Sequence, residues 1–184
     1  MSLPGLRRIV LVGFMGSGKS SVGRVLARRL GWDFVDLDAQ VEKAERRPVA
    51  AIFAEAGEGL FRAVEAREAE AILARDGVVM AAGGGWAAAP GRMESLPPET
   101  ASVWLRVSAE EAVRRSRPRS GKRPLLAVAD PLERARELLA AREPCYARAG
   151  LEVDTEGQSV EDVAARILEL LGPAAGVNPT LEKR

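Results

Sequence analysis

The sequence contains no histidine and a single cysteine, Cys145, among its 184 residues. Without histidine the chain lacks the usual general base at neutral pH, the Ser/His nucleophile pair and the commonest zinc ligand. One cysteine cannot form an intrachain disulfide, and it is too few for a cysteine metal cluster. We therefore expect any chemistry to depend on carboxylates, arginines, lysines, hydroxyls, backbone amides or a bound cation.

Long apolar runs are also missing, since no stretch reaches the roughly 18 to 20 residues that span a bilayer. Residues 1–12 lack the pattern of a secretory signal. The 27 basic and 26 acidic residues nearly cancel to a net charge of +1. The composition therefore gives no excess of positive charge that would attract nucleic acid. We expect a cytoplasmic monomer with no membrane or nucleic-acid partner. One domain is expected over residues 1–173, followed by a flexible tail at 174–184.

Short apolar runs alternate with amphipathic segments along the chain. The runs predict strands at residues 7–12, 34–37, 78–82, 101–107 and 151–153. The amphipathic segments predict helices at residues 19–30, 38–46, 48–55, 59–74, from 109 after a Ser108 cap, 131–146 and 160–171. This alternation predicts a three-layer α/β fold, with a central parallel sheet of about five strands and helices on both faces. In such folds ligands bind at the carboxyl ends of the strands.

Residues 13–20 read GFMGSGKS and match the pattern G-x-x-x-x-G-K-[ST] of nucleotide phosphate loops. The match follows a predicted strand and precedes a predicted helix, as the pattern requires. Lys19 would reach the β and γ phosphates of ATP, and the Ser20 hydroxyl would ligate Mg²⁺. The residues predicted to bind the nucleotide here are Gly13, Met15, Gly16, Ser17, Gly18, Lys19, Ser20 and Ser21. An ordinary glycine turn is the alternative, and a GTPase is disfavoured because no Asn-Lys-x-Asp stretch is present to read guanine.

Two further features lie at predicted strand ends. Asp36 and Asp38 are spaced by two at the end of the second predicted strand, so we expect their side chains on one face, near Mg²⁺ and an acceptor hydroxyl. Alternatively, Asp38 simply caps the next helix. The triplet Gly83, Gly84 and Gly85 follows the third predicted strand, where it either brings backbone close to a substrate or forms a plain turn.

Residues 115–124 form a basic segment around Pro118 and Gly121. This composition predicts a mobile lid that closes over polyphosphate and excludes water. Nucleic-acid binding is the competing interpretation. It is disfavoured because no aromatic residues are interleaved with the basic ones.

Six segments occur in order at familiar spacing: GFMGSGKS, VDLD, GEGLFRAVE, AAGGGW, KRPLL and AREPCYARA. Together, over residues 7–171, they resemble the shikimate kinase family. The resemblance implies a P-loop fold and ATP-dependent phosphorylation of the 3-hydroxyl of shikimate, with Mg²⁺. The products would be shikimate 3-phosphate and ADP, on the route to chorismate and the aromatic amino acids. A gluconate-type P-loop kinase and a noncatalytic kinase-like binding protein are the alternatives.

The resemblance also implies roles on the acceptor side. Asp38 would contact the shikimate hydroxyls, while Arg62 and Arg142 would hold the carboxylate beside the glycine triplet. Because the chain has no histidine, we also expect Asp38 to accept the proton. Planar bidentate arginines suit a carboxylate on an otherwise neutral polyol. Trp86 departs from the family, which usually has a small or aliphatic residue after the triplet, and we expect it to pack in the core.

On the nucleotide side, the resemblance implies that Arg123 in the lid and Lys19 neutralise charge on the transferred phosphoryl group. Arg115 would flank adenine. Asp36 would lie toward Mg²⁺ with Ser20. The predicted catalytic set is therefore Lys19, Asp38 and Arg123.

Overall fold

The computed structural model describes residue 3, residues 5–116 and residues 130–172. The strands are β1 (Arg8–Val12), β2 (Asp33–Asp36), β3 (Val78–Ala81), β4 (Thr100–Arg106) and β5 (Leu151–Asp154). The helices are α1 (Lys19–Leu30), α2 (Leu37–Glu45), α3 (Val49–Leu73), α4 (Ala109–Ser116), α5 (Pro131–Tyr146) and α6 (Val160–Leu170), with a 3-10 turn at Trp86–Ala88. Residues 117–124 of the predicted lid, including Arg123, lie outside the described residues, as does the predicted tail at 174–184.

The five strands form one parallel sheet in the order β2-β3-β1-β4-β5. Because parallel strands run the same way, their carboxyl ends meet at one edge of the sheet. Strand β3 lies between β1 and β2, so the segments that follow Val12, Asp36 and Ala81 begin side by side. The predicted α/β fold is confirmed, and the three segments expected to carry the site are neighbours.

Strand β1 is buried on both faces of the sheet. Val10 and Val12 pack on one face against residues of α3, α4 and α5. Ile9 and Leu11, which alternate with them, pack on the other face against α1 and α6. Each fully buried side chain of this size contributes roughly 1.5–3 kcal/mol. The two clusters confirm that helices cover both faces. Within the described residues, every helix is too short or too polar to cross a membrane.

A third, smaller core cluster lies between α2 and α3. It consists of Val41, Ile52, Phe61 and Val64, and we call it the satellite core. Helix α3 is interrupted at Gly57, where φ is 78° and ψ is 175°. The break separates two helical segments, as the sequence predicts. The second of these segments carries residues 58–73 and docks on the main sheet through its later turns.

Side-chain caps begin α4, α5 and α6. Ser108 Oγ accepts from the Glu111 amide at 3.3 Å, as predicted for α4. Asp130 accepts from two amides at the start of α5, and Ser159 accepts from the Asp162 amide at the start of α6. Each such cap stabilises its helix by about 1 kcal/mol. The caps fix where α5 begins and therefore which of its residues face the sheet edge.

Candidate active site

The loop between β1 and α1 has a backbone that requires glycine. Gly13 and Gly16 have φ values of 137° and 82°, which residues with a Cβ atom rarely adopt. A Cβ on Gly13 would lie 2.5 Å from the Leu105 carbonyl oxygen, and one on Gly16 would lie 3.0 Å from Ala112 Cα. The loop is therefore packed against β4 and α4 by its own backbone. This close approach gives the phosphate loop, residues 13–20, a fixed shape.

Lys19, the first residue of α1, lies back over this loop. Its Nζ donates to the carbonyl oxygens of Gly13 and Phe14 at 2.7 and 3.0 Å. Ser17 Oγ is buried at the centre of the loop and has no hydrogen-bond partner among the described residues. An ammonium group and an unsatisfied hydroxyl at a helix N-terminus form a cationic, donor-rich site that suits a phosphate group.

Ser20 and Asp36 join the phosphate loop to the end of β2. The Ser20 hydroxyl donates to Asp36 Oδ2 at 2.5 Å. A hydroxyl and a carboxylate at this separation form a pair of hard oxygen donors, which fits Mg²⁺ held by few protein ligands plus phosphates and water. Over the described ranges, no cluster of three or more acidic or cysteine side chains could hold a metal ion. The residues present therefore fit a magnesium ion shared with a nucleotide.

The two aspartates differ from the expectation in one respect. Asp36 ends β2, but Asp38 lies in the first turn of α2, so the two are not on one face of a strand. The alternative that Asp38 caps α2 is also wrong, because Asp36 accepts from the Ala39 amide at 3.4 Å. The chain turns into a helix directly after Asp36, since the carboxylate there satisfies a free amide. This turn carries Asp38 toward the glycine triplet.

The Asp38 carboxylate lies against Gly83. A Cβ on Gly83 would be 2.6 Å from Asp38 Oδ1, so a glycine is needed for the approach. Burial raises the pKa of Asp38, and the neighbouring Asp36 raises it further, while Lys19 opposes the shift. A carboxylate with a raised pKa is a better proton acceptor than an exposed one.

Sequence reasoning missed Glu65, which lies beside Asp38. Glu65 is 2% exposed, and its Oε2 accepts from Arg62 Nη1 at 2.8 Å. Its Oε1 has no partner among the described residues and would lie 3.0 Å from a Cβ on Gly83. Burial raises the pKa of Glu65, and the hydrogen bond from Arg62 opposes this. The spacing of Arg62 and Glu65, three apart within an otherwise apolar helical stretch, is the signal that could have found it.

Arg62 and Arg142 reach the triplet from two different helices. A Cβ on Gly85 would lie 2.8 Å from Arg62 Nη2. Arg142 Nη1 donates to the Gly84 carbonyl oxygen at 3.3 Å. The Gly84 Cβ position is also 3.8 Å from the Met15 amide nitrogen in the phosphate loop. Two guanidinium groups distant in sequence therefore meet at three consecutive residues, next to the phosphate loop.

Arg115 lies on the other side of the phosphate loop, at the end of α4. It donates to the Gly16 carbonyl at 3.3 Å and, beyond β5, to the Thr155 carbonyl at 2.8 Å. Its Nε donates to Glu111 at 2.6 Å. The hydrogen bond from Arg114 and the weaker effect of the one from Arg115 lower the pKa of Glu111 to about 2. Arg115 is therefore held between the phosphate loop and the segment after β5, and Thr155 is a contact that sequence reasoning missed.

Trp86 begins the 3-10 turn directly after the triplet. It is 2% exposed and belongs to the core cluster on the α3 and α5 face of the sheet. The expectation that this large ring packs in the core agrees with its burial. Its position anchors the end of the triplet.

Comparisons with known proteins show the family of this chain. The family model described as Shikimate kinase matches residues 15–172. A shikimate kinase of Symbiobacterium thermophilum is 46% identical over 165 residues, which cover 89% of this chain and 95% of that protein. The chain belongs to the shikimate kinase family. A solved structure in this family, the shikimate kinase from Acinetobacter baumannii in complex with shikimate, is similar with a TM-score of 0.85 and 35% identity, covering 90% and 93% of the two chains.

Membership of this family makes the chain an ATP-using phosphotransferase that acts on a small molecule. A gluconokinase from Sinorhizobium meliloti is also similar in structure, with a TM-score of 0.60 over 93% of each chain. At 23% identity this likeness shows the shared fold alone. The chain is thus 46% identical to a shikimate kinase but only 23% identical to a gluconokinase that shares its fold.

Proposed function

We propose that the chain transfers the γ-phosphoryl group of ATP to the 3-hydroxyl of shikimate, giving shikimate 3-phosphate and ADP. The product would serve chorismate and aromatic amino acid synthesis. The observation that carries this proposal is the meeting of Asp38, Arg62 and Arg142 at a glycine triplet next to the phosphate loop. This arrangement suits a small acceptor that has both a carboxylate and hydroxyls.

On the acceptor side, Arg62 and Arg142 bind the carboxylate and fix the orientation of the ring. Asp38 aligns the reacting hydroxyl and takes its proton. The raised pKa of Asp38, caused mainly by burial, supports this role. A loose phosphoryl-transfer transition state demands little from a base, so alignment of the hydroxyl is the larger contribution.

On the nucleotide side, the amides of residues 13–21 bind the phosphates and Lys19 neutralises charge on the transferred group. Ser20 and Asp36 hold Mg²⁺, which supplies charge neutralisation when bound. Arg115 flanks adenine, and Arg123 joins Lys19 when the lid, residues 115–124, closes. The position of Arg115 between Gly16 and Thr155 supports an adenine site at that end of the loop.

The proposal extends to a single domain over residues 1–173 that works as a cytoplasmic monomer, without nucleic-acid or membrane partners. The near-neutral charge of the chain supports the last two points. Size-exclusion chromatography with light scattering measures the oligomeric state directly.

A coupled ADP-release assay tests the function with shikimate, gluconate and nucleoside monophosphates as parallel acceptors. We expect Mg²⁺-dependent turnover with shikimate and none above the ATPase background with the others. Mass spectrometry of the product identifies the phosphorylated position. Turnover with gluconate but not with shikimate would show instead a gluconate-type kinase. No ADP release with any acceptor would show instead a binding role.

A further inference from the structure

The carbonyl of Gly84 accepts hydrogen bonds from two residues on one face of α5. Arg142 Nη1 donates at 3.3 Å, and the Tyr146 hydroxyl donates to the same oxygen. The two donors are four residues apart, so they lie one above the other on the helix. The function described above gives Arg142 a task but gives none to Tyr146.

The ring of Tyr146 packs in the hydrophobic core, outside the candidate active site. Its side chain is fully buried, and its ring lies 6.2 Å from that of Trp104 on β4, tilted by 36°. Burial raises the pKa of its hydroxyl to about 12, so the group remains a donor across the working pH range. By contrast, Arg142 has a flexible side chain that is needed at the acceptor carboxylate. Tyr146 is therefore the donor that can stay on Gly84 when Arg142 turns to a ligand.

A glycine triplet needs such a restraint. Three residues without Cβ atoms have the greatest backbone freedom of any sequence, and a peptide between two glycines rotates readily. The peptides of the described residues are trans, so the Gly84 carbonyl and the Gly85 amide point in opposite directions. When Tyr146 fixes the carbonyl, it also fixes the Gly85 amide, which then points away from Tyr146.

The amides of Gly84 and Gly85 have no hydrogen-bond partner within the described part of the chain, whereas the next amide, that of Trp86, donates to the Gly83 carbonyl at 3.0 Å. Unpaired donors next to the guanidinium of Arg62 are placed for the oxygens of an anionic acceptor. A rotation of the Gly84 peptide would replace such a donor with a carbonyl, which repels the same oxygens.

We propose that Tyr146 is a positioning residue for phosphoryl transfer, because its hydroxyl holds the peptide between Gly84 and Gly85 in the orientation that presents an amide to the acceptor. This proposal rests on the proposed function for its kinetic consequences. Its structural part, the restraint on the peptide, concerns the protein without ligands and is measured separately.

The kinetic test uses Tyr146→Phe, which keeps the ring and its packing but removes the hydroxyl. We expect kcat/KM for shikimate to fall about tenfold, the effect of one lost hydrogen bond, while KM for ATP stays within about twofold. Ser102→Ala is the matched control, since it removes a hydroxyl bonded to a backbone amide, that of Gly150, at the opposite edge of the sheet. The control should change neither parameter by more than about twofold. Equal losses for both substrates, or no loss, would overturn the role of Tyr146.

The second test needs no substrate. Glycine-selective ¹⁵N labelling and relaxation dispersion report exchange of the Gly84 and Gly85 amides in the unliganded protein. We expect new microsecond-to-millisecond exchange at these amides in Tyr146→Phe and none in Ser102→Ala. Unchanged amides in Tyr146→Phe would refute the restraint. If the parent protein lacked activity with shikimate, the proposed function would fail while this measurement still decided the restraint.

Discussion

The two sides of the site are built in different ways. The phosphate side comes from one continuous segment, residues 13–20, whose shape depends on glycine backbone angles and contacts with neighbouring backbone. The acceptor side comes from four separate places in the chain, which are the start of α2, helix α3, the triplet after β3 and helix α5, and the fold brings them together. A local motif therefore fixes the phosphate side, whereas the fold as a whole fixes the acceptor side. Substitutions on the two sides should consequently affect different kinetic constants.

Lys19→Ala should have the largest effect. Loss of the ammonium group removes charge stabilisation from the transferred phosphoryl group, so we expect kcat to fall about 10³-fold. KM for shikimate should change by less than about threefold, because Lys19 belongs to the phosphate side. Steady-state kinetics with each substrate varied separately measures both constants. The control is Lys43→Ala, at an exposed position of α2. A large rise in shikimate KM with Lys19→Ala would show that the phosphate side and the acceptor side do not act separately.

Asp38→Asn should lower kcat about 10²-fold and also stabilise the fold at neutral pH. Because burial raises the pKa of Asp38, its ionised form is less favourable in the folded protein than in the unfolded chain. This cost is absent below the unfolded pKa of about 4 and grows as the pH rises through the folded pKa. The free energy of unfolding should thus be higher for Asp38→Asn at pH 7, and the difference should vanish near pH 4.

Denaturant unfolding at several pH values measures this difference. Glu161→Gln, which neutralises an exposed carboxylate of α6, should alter neither activity nor the pH profile. An Asp38→Asn protein less stable than the parent at pH 7 would contradict the assigned burial cost.

Arg62→Ala and Arg142→Ala should each raise the KM for shikimate at least tenfold, equivalent to about 1.4 kcal/mol, with KM for ATP changed by less than about twofold. The reason is that each removes one of two guanidinium groups at the triplet, away from the nucleotide. Arg67→Ala, at an exposed position of the same helix as Arg62, should change neither constant. Equal losses for shikimate and ATP would mean that the two sides are not separate.

Gly85→Ala should have a smaller effect confined to the acceptor side. Its φ of −105° and ψ of −6° suit alanine, and the new Cβ would meet the end of the Arg62 side chain, which can move. We expect a three- to tenfold rise in shikimate KM with an unchanged melting temperature. Gly59→Ala is the control, because nothing lies within 4 Å of its Cβ position inside α3. That control should stabilise the protein by about 0.5–1 kcal/mol and leave both KM values unchanged.

Sequence alone predicted the fold and the phosphate loop because both depend on local patterns. The alternation of strands and helices reflects burial on one or two faces, and the spacing within residues 13–20 reflects backbone angles. The arginines of the acceptor side were found only through resemblance to a family. Nothing local to Arg62 or Arg142 distinguishes either from the other arginines of the chain.

The failures have physical causes as well. The placement of Asp36 and Asp38 on one strand face was wrong because β2 ends at Asp36, whose carboxylate caps α2. Glu65 and Thr155 were missed because their significance depends on partners distant in sequence or on burial. Tyr146 was seen only as part of a motif, since its bond to Gly84 spans the molecule from α5 to the end of β3.

The satellite core has a consequence for how such kinases diverge. Phe61 and Val64 flank Arg62 on α3, and they pack on Val41 and Ile52 instead of on the central sheet. Changes in the size of these four side chains would shift the helix that carries Arg62, whereas the phosphate loop packs against β4 and α4 and would keep its shape. A few conservative substitutions in the satellite core therefore offer an evolutionary route to a new acceptor specificity. Each intermediate on that route would still bind ATP.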